Sequence, residues 1–385
     1  MSAKIENLVE NYSAVRESVA NTKQYGPDVT KPQGPWLLDY VKQLHPRRLR
    51  MRVTEKFDVT ESVKSFHLVP VDQYLPPFQA GQYVQVMVDA EGIHTGRPYS
   101  ISSSPAQRGY YEITVRRKDD GLVSNFLHDQ VQVGDILTTT GPAGHIYFNP
   151  LFHSKKQVLL AGGSGITPFL SMIREATDGN LDREIHLIYG CRTPDDAPYI
   201  EELRRRAAMH PNLKVDLVIS EPDESWDGPQ GFITAELIRS LGVDVEGSTF
   251  YICGPQAMQA FLAPELAKLN IPGKRIRREM FGAADDITQD AAWPEEISGD
   301  TRFTVKYGDQ VISASADETI LTALEKAGIR HESCCRSGEC SACRMKLVSG
   351  SVFQASTVLL RRADMKAGYI HVCASYPISD VEVAD

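Results

Sequence analysis

At 385 residues the chain exceeds what one ordinary hydrophobic core supports, and three domains are expected. Hydrophobic residues at 42% and charged residues at 24% are those of a globular protein, which excludes disorder on a large scale. The net charge of −9 is spread without long blocks of one sign, which argues against nucleic acid as the main partner and leaves anionic ligands to local basic residues. No run approaches the roughly 18 apolar residues of a membrane span, and Met1 to Thr22 lacks an apolar signal core, so a cytoplasmic protein is expected. Seven cysteines are too few for a disulfide scaffold, and four of them crowd into Cys334 to Cys343, a pattern of metal binding.

Residues 1–48 open with a helix-like stretch, Ile5 to Val19, then pass through Pro27, Pro32, Gly34 and Pro35, which predict an irregular connection; they read as an N-terminal extension. Residues 49–150 carry short alternating runs such as Tyr83-Val84-Gln85-Val86-Met87-Val88 and Tyr111-Glu112-Ile113-Thr114-Val115, which predict an antiparallel β-barrel or sandwich. Residues 151–282 change rhythm to apolar strand then helix, from Gln157-Val158-Leu159-Leu160-Ala161 to Phe250-Tyr251-Ile252-Cys253, with a helix near Pro168 to Thr177. That is the pattern of an α/β doubly wound parallel sheet. Residues 283–300 are polar, contain Pro294 and Gly299, and read as a linker. Residues 301–385 form a last domain with its own strands, a helix around Ile320 to Ala327, and most of the cysteines.

Cys335, Cys340 and Cys343 are spaced C-x4-C-x2-C, and Cys373 follows after twenty-nine intervening residues, the ligand pattern of a plant-type [2Fe–2S] cluster. Small residues Ser337, Gly338, Ser341 and Ala342 would let backbone amides approach the sulfurs. Four cysteines also suit a tetrahedral zinc ion, although zinc sites usually pair two short hooks and only one is present. Cys334 reads as a bystander. The stretch Cys335-Arg336-Ser337-Gly338-Glu339-Cys340 resembles plant-type ferredoxins, which implies an α+β β-grasp domain over residues 301–385.

Arg97-Pro98-Tyr99-Ser100 ends a barrel strand, after Phe78-Gln79-Ala80-Gly81-Gln82-Tyr83, and here the chain resembles the ferredoxin–NADP+ reductase superfamily. The resemblance implies that Arg97 binds flavin phosphate, Tyr99 packs on the isoalloxazine and Ser100 hydrogen-bonds near N5. These residue types suit those roles, since a guanidinium forks onto phosphate, a phenol ring covers a flavin face, and a hydroxyl both donates and accepts. The same resemblance implies that Pro98, and Thr114, Val115 and Arg116 on the next strand, contact the cofactor, and Gly121-Leu122-Val123-Ser124 reads as a helix start whose amides and Ser124 hold a pyrophosphate. That segment resembles the FAD-binding members, including flavohaemoglobin reductase modules and the hybrid-cluster protein reductase, and favours FAD over FMN.

Gly162-Gly163-Ser164-Gly165-Ile166-Thr167-Pro168 lies between strand and helix, where glycines let backbone approach a pyrophosphate. With Cys253-Gly254-Pro255 and Met258 it resembles the NAD(P)-binding lobe of the same superfamily, which implies that Cys253 lies beside the nicotinamide. Glu279-Met280-Phe281 resembles the acidic and aromatic pair that closes this lobe. It implies a proton-handling Glu279 and a flavin-shielding Phe281, the alternative for Glu279 being a carboxylate exposed on a strand. Cys191 reads as packing. The acids of Ser220-Glu221-Pro222-Asp223 would repel a 2′-phosphate, so NADH is expected, with Arg192 as the one nearby cation facing the cofactor.

The domain order resembles oxygenase reductase components and the hybrid-cluster protein reductase. It implies an NADH-dependent oxidoreductase that takes hydride onto FAD and passes single electrons through a [2Fe–2S] cluster to a separate protein, such as an oxygenase or a hybrid-cluster protein. Two alternatives stand beside it: an electron-conducting subunit of a larger complex, docked through residues 1–48, and a zinc-stabilised binding protein.

Overall fold

A computed structural model describes residues 12–25, 39, 41–42, 46–72, 74–355 and 358–385. The chain divides into two compact units, Met1–Pro46 and Arg47–Asp385. In the first, helix α1 (Tyr12–Tyr25) runs six residues past the expected end at Val19; the expected start at Ile5 and the Pro27, Pro32, Gly34 and Pro35 connection lie outside the described residues. No helix among the described residues is long and apolar enough to cross a membrane.

The second unit holds three cores in sequence. The first is a six-stranded antiparallel sheet of β1 (Leu49–Thr60), β2 (Val63–Pro70), β3 (Tyr83–Ala90), β4 (Ile93–Ser100), β5 (Tyr111–Arg116) and β6 (Ile136–Thr139), in the order β4-β3-β6-β1-β2-β5. A bridge between Ile101 and Ile113 joins its two edges and closes the barrel. Strand alternation explains the filling: Leu49, Met51 and Val53 are fully enclosed while Arg50, Arg52 and Thr54 face out. Helix α2 (Leu122–Asp129) caps the barrel with Val123 and Leu127.

The second core is a parallel sheet of β7 (Lys156–Gly162), β8 (Glu184–Cys191), β9 (Leu213–Ile219), β10 (Thr249–Cys253) and β11 (Ile276–Glu279), ordered β11-β10-β7-β8-β9. The central strands β7 and β10 carry continuous apolar runs, Val158 to Ala161 and Phe250 to Cys253, because both of their faces are covered. Leu159, Leu187 and Tyr189 pack under α3 (Ile166–Asp178). On the other face, Val158, Leu160 and Ile252 meet α5 (Ala235–Ser240) and α6 (Gln256–Ala267); α4 (Ile200–Met209) links β8 to β9.

The third core is a mixed sheet of β12 (Arg302–Tyr307), β13 (Gln310–Ser315), β14 (Arg344–Ser349), β16 (Tyr369–His371) and β18 (Val381–Ala384), ordered β13-β12-β18-β14-β16, with a small ladder of β15 (Val352–Phe353) and β17 (Tyr376–Pro377). Helix α7 (Ile320–Lys326) packs on it through Ile320, Leu321 and Leu324; its first turn is capped by the Thr319 hydroxyl, which accepts from the Thr322 amide at 3.2 Å. A short helix, α8 (Arg362–Lys366), precedes β16. The stretch expected as a linker, residues 283–300, is packed rather than loose. Ile287 and Trp293 are buried with Phe353 and Tyr376, and the Trp293 indole donates to the Ile297 carbonyl at 2.8 Å. Polar composition hid this, because two apolar anchors suffice.

Barrel and parallel-sheet lobe meet through a buried carboxylate. Glu112 accepts from Tyr199 at 2.9 Å, from Ser102 at 3.1 Å and from Arg174 at 2.8 Å, and Arg174 also forks onto Glu202 at 2.9 and 2.7 Å. Burial opposes ionisation of Glu112, but hydrogen bonds from His67, Tyr199 and Arg174 outweigh it and hold the carboxyl at about 2 instead of the usual 4.5. A depressed carboxyl contributes stability above its unfolded value and loses it as pH falls through its folded value. The thermal midpoint of the wild type is therefore expected to fall between pH 4.5 and about 2 more steeply than that of Glu112→Gln, which scanning calorimetry across that window checks.

Candidate functional site

The cluster loop turns tightly because Arg336 (φ 59°), Gly338 (φ 78°) and Ser341 (φ 61°) adopt left-handed backbone. A side chain at Gly338 would also meet Val358 and Ala374 at 3.0–3.1 Å. Inside the turn the thiols of Cys335 and Cys340 touch, as do those of Cys343 and Cys373, and Cys335 also reaches Cys373. Backbone N–H groups of Ser337 and Cys340 each donate to Cys335 Sγ at 3.4 Å, and the Cys335 N–H donates to Cys340 Sγ at 3.5 Å. Amides aimed at sulfur stabilise thiolate charge. Two pairs of thiols fit two irons, whereas a zinc ion would draw all four sulfurs to one centre. The residues therefore fit a [2Fe–2S] cluster better than zinc. Cys334 directs its thiol at the Tyr83 hydroxyl, 3.7 Å away, and also touches Cys340.

At the end of β4, the Arg97 guanidinium is largely enclosed, and its partners among the described residues are the uncharged Thr95 hydroxyl at 2.8 Å and Gly96 carbonyl at 2.9 Å. Burial, then the nearby Arg336 charge, lowers it to about 10. A buried cation without an anion is costly, so this site fits a phosphate. Arg97 and Tyr99 line a cavity of about 450 Å³ together with Arg116, Gly121, Leu122, Val123 and Ser124. Helix α2 starts at Gly121 with no side-chain cap, leaving its first amides free for anionic oxygens. The Ser100 hydroxyl is buried and has no partner among the described residues, a group awaiting a hydrogen bond.

Three residues expected here, Pro98, Thr114 and Val115, lie off the cavity, and Ser124 lines it with a hydroxyl that already has partners. Ser124 braces its own turn, donating to the Gly121 carbonyl and accepting from the Lys118 amide, both at 3.2 Å, so its hydroxyl is already engaged. Val115 belongs to the barrel core. Thr114 hydrogen-bonds Tyr199 at 2.7 Å, and Pro98 is buried within β4, so neither lines the cavity. Alternation along β5 does not separate these residues, because both faces of that strand are covered.

A second cavity, about 620 Å³, lies over the carboxyl ends of β7, β8, β9 and β10, where the strand order reverses between β7 and β10. That crevice is where doubly wound sheets bind dinucleotides. Gly163, Ser164, Arg192, Pro255 and Met258 line it. Gly165 lies behind the wall: a Cβ there would sit 2.2 Å from the Cys253 carbonyl oxygen, so only glycine lets the ends of β7 and β10 approach. Gly254 is similarly hemmed in by Met258, and the Thr167 hydroxyl donates to the Ser164 carbonyl at 3.0 Å; both shape the turn from outside the cavity. Arg116 faces both cavities and pairs with Asp196 at 2.6 Å.

Cys253 ends β10 in register with Glu279 on β11, and both are buried. Burial pushes both the thiol and the carboxyl well above their usual values. Glu279 is only 4% exposed, so the exposed-carboxylate alternative does not hold, and one of its oxygens has no partner among the described residues. Phe281 packs edge-on against Tyr83, ring centres 5.4 Å apart. Arg192 is 72% exposed at the cavity rim. Arg275, just before β11, is tied to the carbonyls of Val245, Glu246 and Ser248.

Sequence reasoning missed Tyr189, whose hydroxyl donates to the Gly163 carbonyl at 2.9 Å, and Phe232 and Phe261 on the dinucleotide cavity rim. It also gave no role to Arg336 or Glu325. Arg336 had a visible signal, a long cation set between a ligating cysteine and small residues. Gly165→Ala is expected to cost about 2 kcal/mol through overpacking and to weaken NADH binding, which denaturant unfolding and a dinucleotide titration check.

Comparison with known proteins agrees with this geometry. Residues 50–148 match the family described as Oxidoreductase FAD-binding domain, residues 159–263 Oxidoreductase NAD-binding domain, and residues 303–377 2Fe-2S iron-sulfur cluster binding domain. The NADH oxidoreductase HCR of Escherichia coli is 32% identical over 338 residues, covering 87% of this chain and 97% of that protein. The glycine betaine monooxygenase reductase subunit of Chromohalobacter salexigens is 28% identical over 351 residues, covering 87% and 95%. Among solved structures, phthalate dioxygenase reductase, described as a modular structure for electron transfer from pyridine nucleotides to [2Fe–2S], superposes with a TM-score of 0.64 at 26% identity, covering 88% of this chain and 97% of that one. With FAD, NAD and [2Fe–2S] domains in this order, the chain is an oxidoreductase and belongs to the ferredoxin–NADP+ reductase family of flavoprotein reductases that carry a C-terminal [2Fe–2S] ferredoxin domain.

Proposed function

We propose that this protein draws reducing equivalents from NADH and delivers them singly to a separate acceptor protein, an oxygenase or a hybrid-cluster protein. The observation that carries this reading is the position of the cluster loop, which is bonded to both other modules. The Gly282 amide donates to the Cys335 carbonyl at 3.5 Å, and Arg336 donates to the Gly96 carbonyl at 3.3 Å. The flavin, when bound, supplies the conversion from a two-electron donor to one-electron steps.

The residues divide the remaining work. Arg97 and the free amides of α2 hold the phosphates, and Tyr99 covers the ring system. The Ser100 hydroxyl, which both donates and accepts, serves the ring nitrogen whose protonation changes. Gly163, Ser164, Pro255 and Met258 seat the dinucleotide, with Arg116 and Asp196 between the two cavities. Cys253 and Glu279 exclude water beside the reacting rings, and Glu279, kept protonated by burial, holds a proton there. Cys335, Cys340, Cys343 and Cys373 hold the cluster. Relatives named as monooxygenase and dioxygenase reductases support an oxygenase as acceptor, and the HCR relative supports the other class.

Cys340→Ser is expected to keep NADH-driven reduction of a two-electron dye and to lose most reduction of a one-electron protein acceptor. Equal one-electron rates in variant and wild type would rule the relay out. NADH is also expected to exceed NADPH in kcat/KM by about tenfold or more, since Glu221 and Asp223 stand near the strand end where a 2′-phosphate would lie. Steady-state kinetics with the two donors checks this.

A further inference from the structure

Arg336 leaves the cluster loop and reaches the flavin barrel. Its guanidinium forks onto the Glu325 carboxylate at 2.7 and 2.8 Å, and the two side chains are only 6% and 7% exposed. The same Arg336 donates to the Thr95 hydroxyl at 3.2 Å. Thr95 in turn donates to Glu325 at 3.0 Å and accepts from Arg97 at 2.8 Å. Four side chains from two modules thus share one buried net, and the net ends on the cation that faces the flavin cavity. A second bond closes the same seam, from the Gln85 amide to the Ser333 hydroxyl at 3.1 Å.

A buried ion pair adds little net stability, because stripping both charges of water offsets their attraction. Its forked geometry does fix orientation. Here the orientation has a consequence for the cavity, since one wall of it is not barrel at all: Thr322, Glu325 and Lys326 of α7 face Arg97 and Gly121 across it. Glu325 pairs with Arg336 rather than with Arg97, so the half-buried Arg97 has no carboxylate hydrogen-bond partner among the described residues.

We propose that the ferredoxin module is itself part of the flavin-binding site, with α7 as a wall and the Arg336–Glu325–Thr95 net as the latch, so that FAD binding and docking of the cluster module strengthen each other. This rests on the reading that flavin occupies the cavity beside Arg97. A phosphate on Arg97 fixes the partner of Thr95, and Thr95 fixes the seam. Linkage requires the reverse effect to be equal in size.

The test uses the full chain, loaded with cluster and stripped of flavin, and titrates FAD by fluorescence quenching. The double variant Glu325→Gln/Arg336→Gln removes the latch while leaving the local net charge unchanged. It is expected to raise the FAD Kd by about fivefold or more, the low end of ordinary coupling energies. Ser333→Ala loosens the seam without touching the cavity, and is expected to raise Kd by a smaller factor even if the double variant fails to load cluster. In the wild type, adding FAD is expected to slow amide hydrogen exchange in Ile320–Lys326. Wild-type affinity in both variants, with exchange in α7 indifferent to FAD, would overturn the linkage. Wild-type affinity in Arg97→Ala would instead overturn the placement of the flavin, and the linkage with it.

Discussion

Three cores that each close on themselves must be held in register by what lies at their seams, and at the first seam that is one buried carboxylate. Glu112 receives hydrogen bonds from both lobes, and Arg174 ties it to Glu202. An apolar seam of equal area would let the lobes slide; a carboxylate with every oxygen engaged does not, because each displacement strands a buried polar group. The two cavities flank this seam, and Arg116 spans them, so their relative placement depends on it.

The same logic recurs at the second seam with different residues. Arg336 and Glu325 are enclosed almost completely, and their hydrogen bonds to Thr95 and Gly96 replace what water would supply. Both seams bring charged side chains of one module onto backbone or hydroxyl groups of another. Relative module positions are therefore specified by few residues, and the rest of each surface remains free to differ.

Much of the fold could be read from the sequence because its signals are periodic and local. Alternation marked the barrel, the rhythm of apolar strand then helix marked the doubly wound sheet, and the cysteine spacing marked the cluster loop. The site was less legible. Gly163 and Ser164 do line a cavity, and Arg97 and Tyr99 another, but Ser124 serves its own turn and Val115 serves the core. Spacing shows which residues lie near a ligand, while hydrogen-bond satisfaction decides which are still free to meet it. The seams were not legible at all, since Glu112 and Tyr199 lie 87 positions apart and Thr95 and Glu325 lie 230 apart. Nothing in either local stretch signals its partner.

The packing of Trp293 against Phe353 and Tyr376 shortens the leash between modules. With Ile287 anchored, the connection after β11 is Met280 to Asp286, and it is tied down as well: Met280 is buried, the Gly282 amide donates to the Cys335 carbonyl, and the Ala283 carbonyl accepts from Gln256 at 2.9 Å. An acceptor too bulky to approach the assembled molecule cannot be served by sending the cluster out to it. The geometry of delivery is thus a property of the acceptor's own surface.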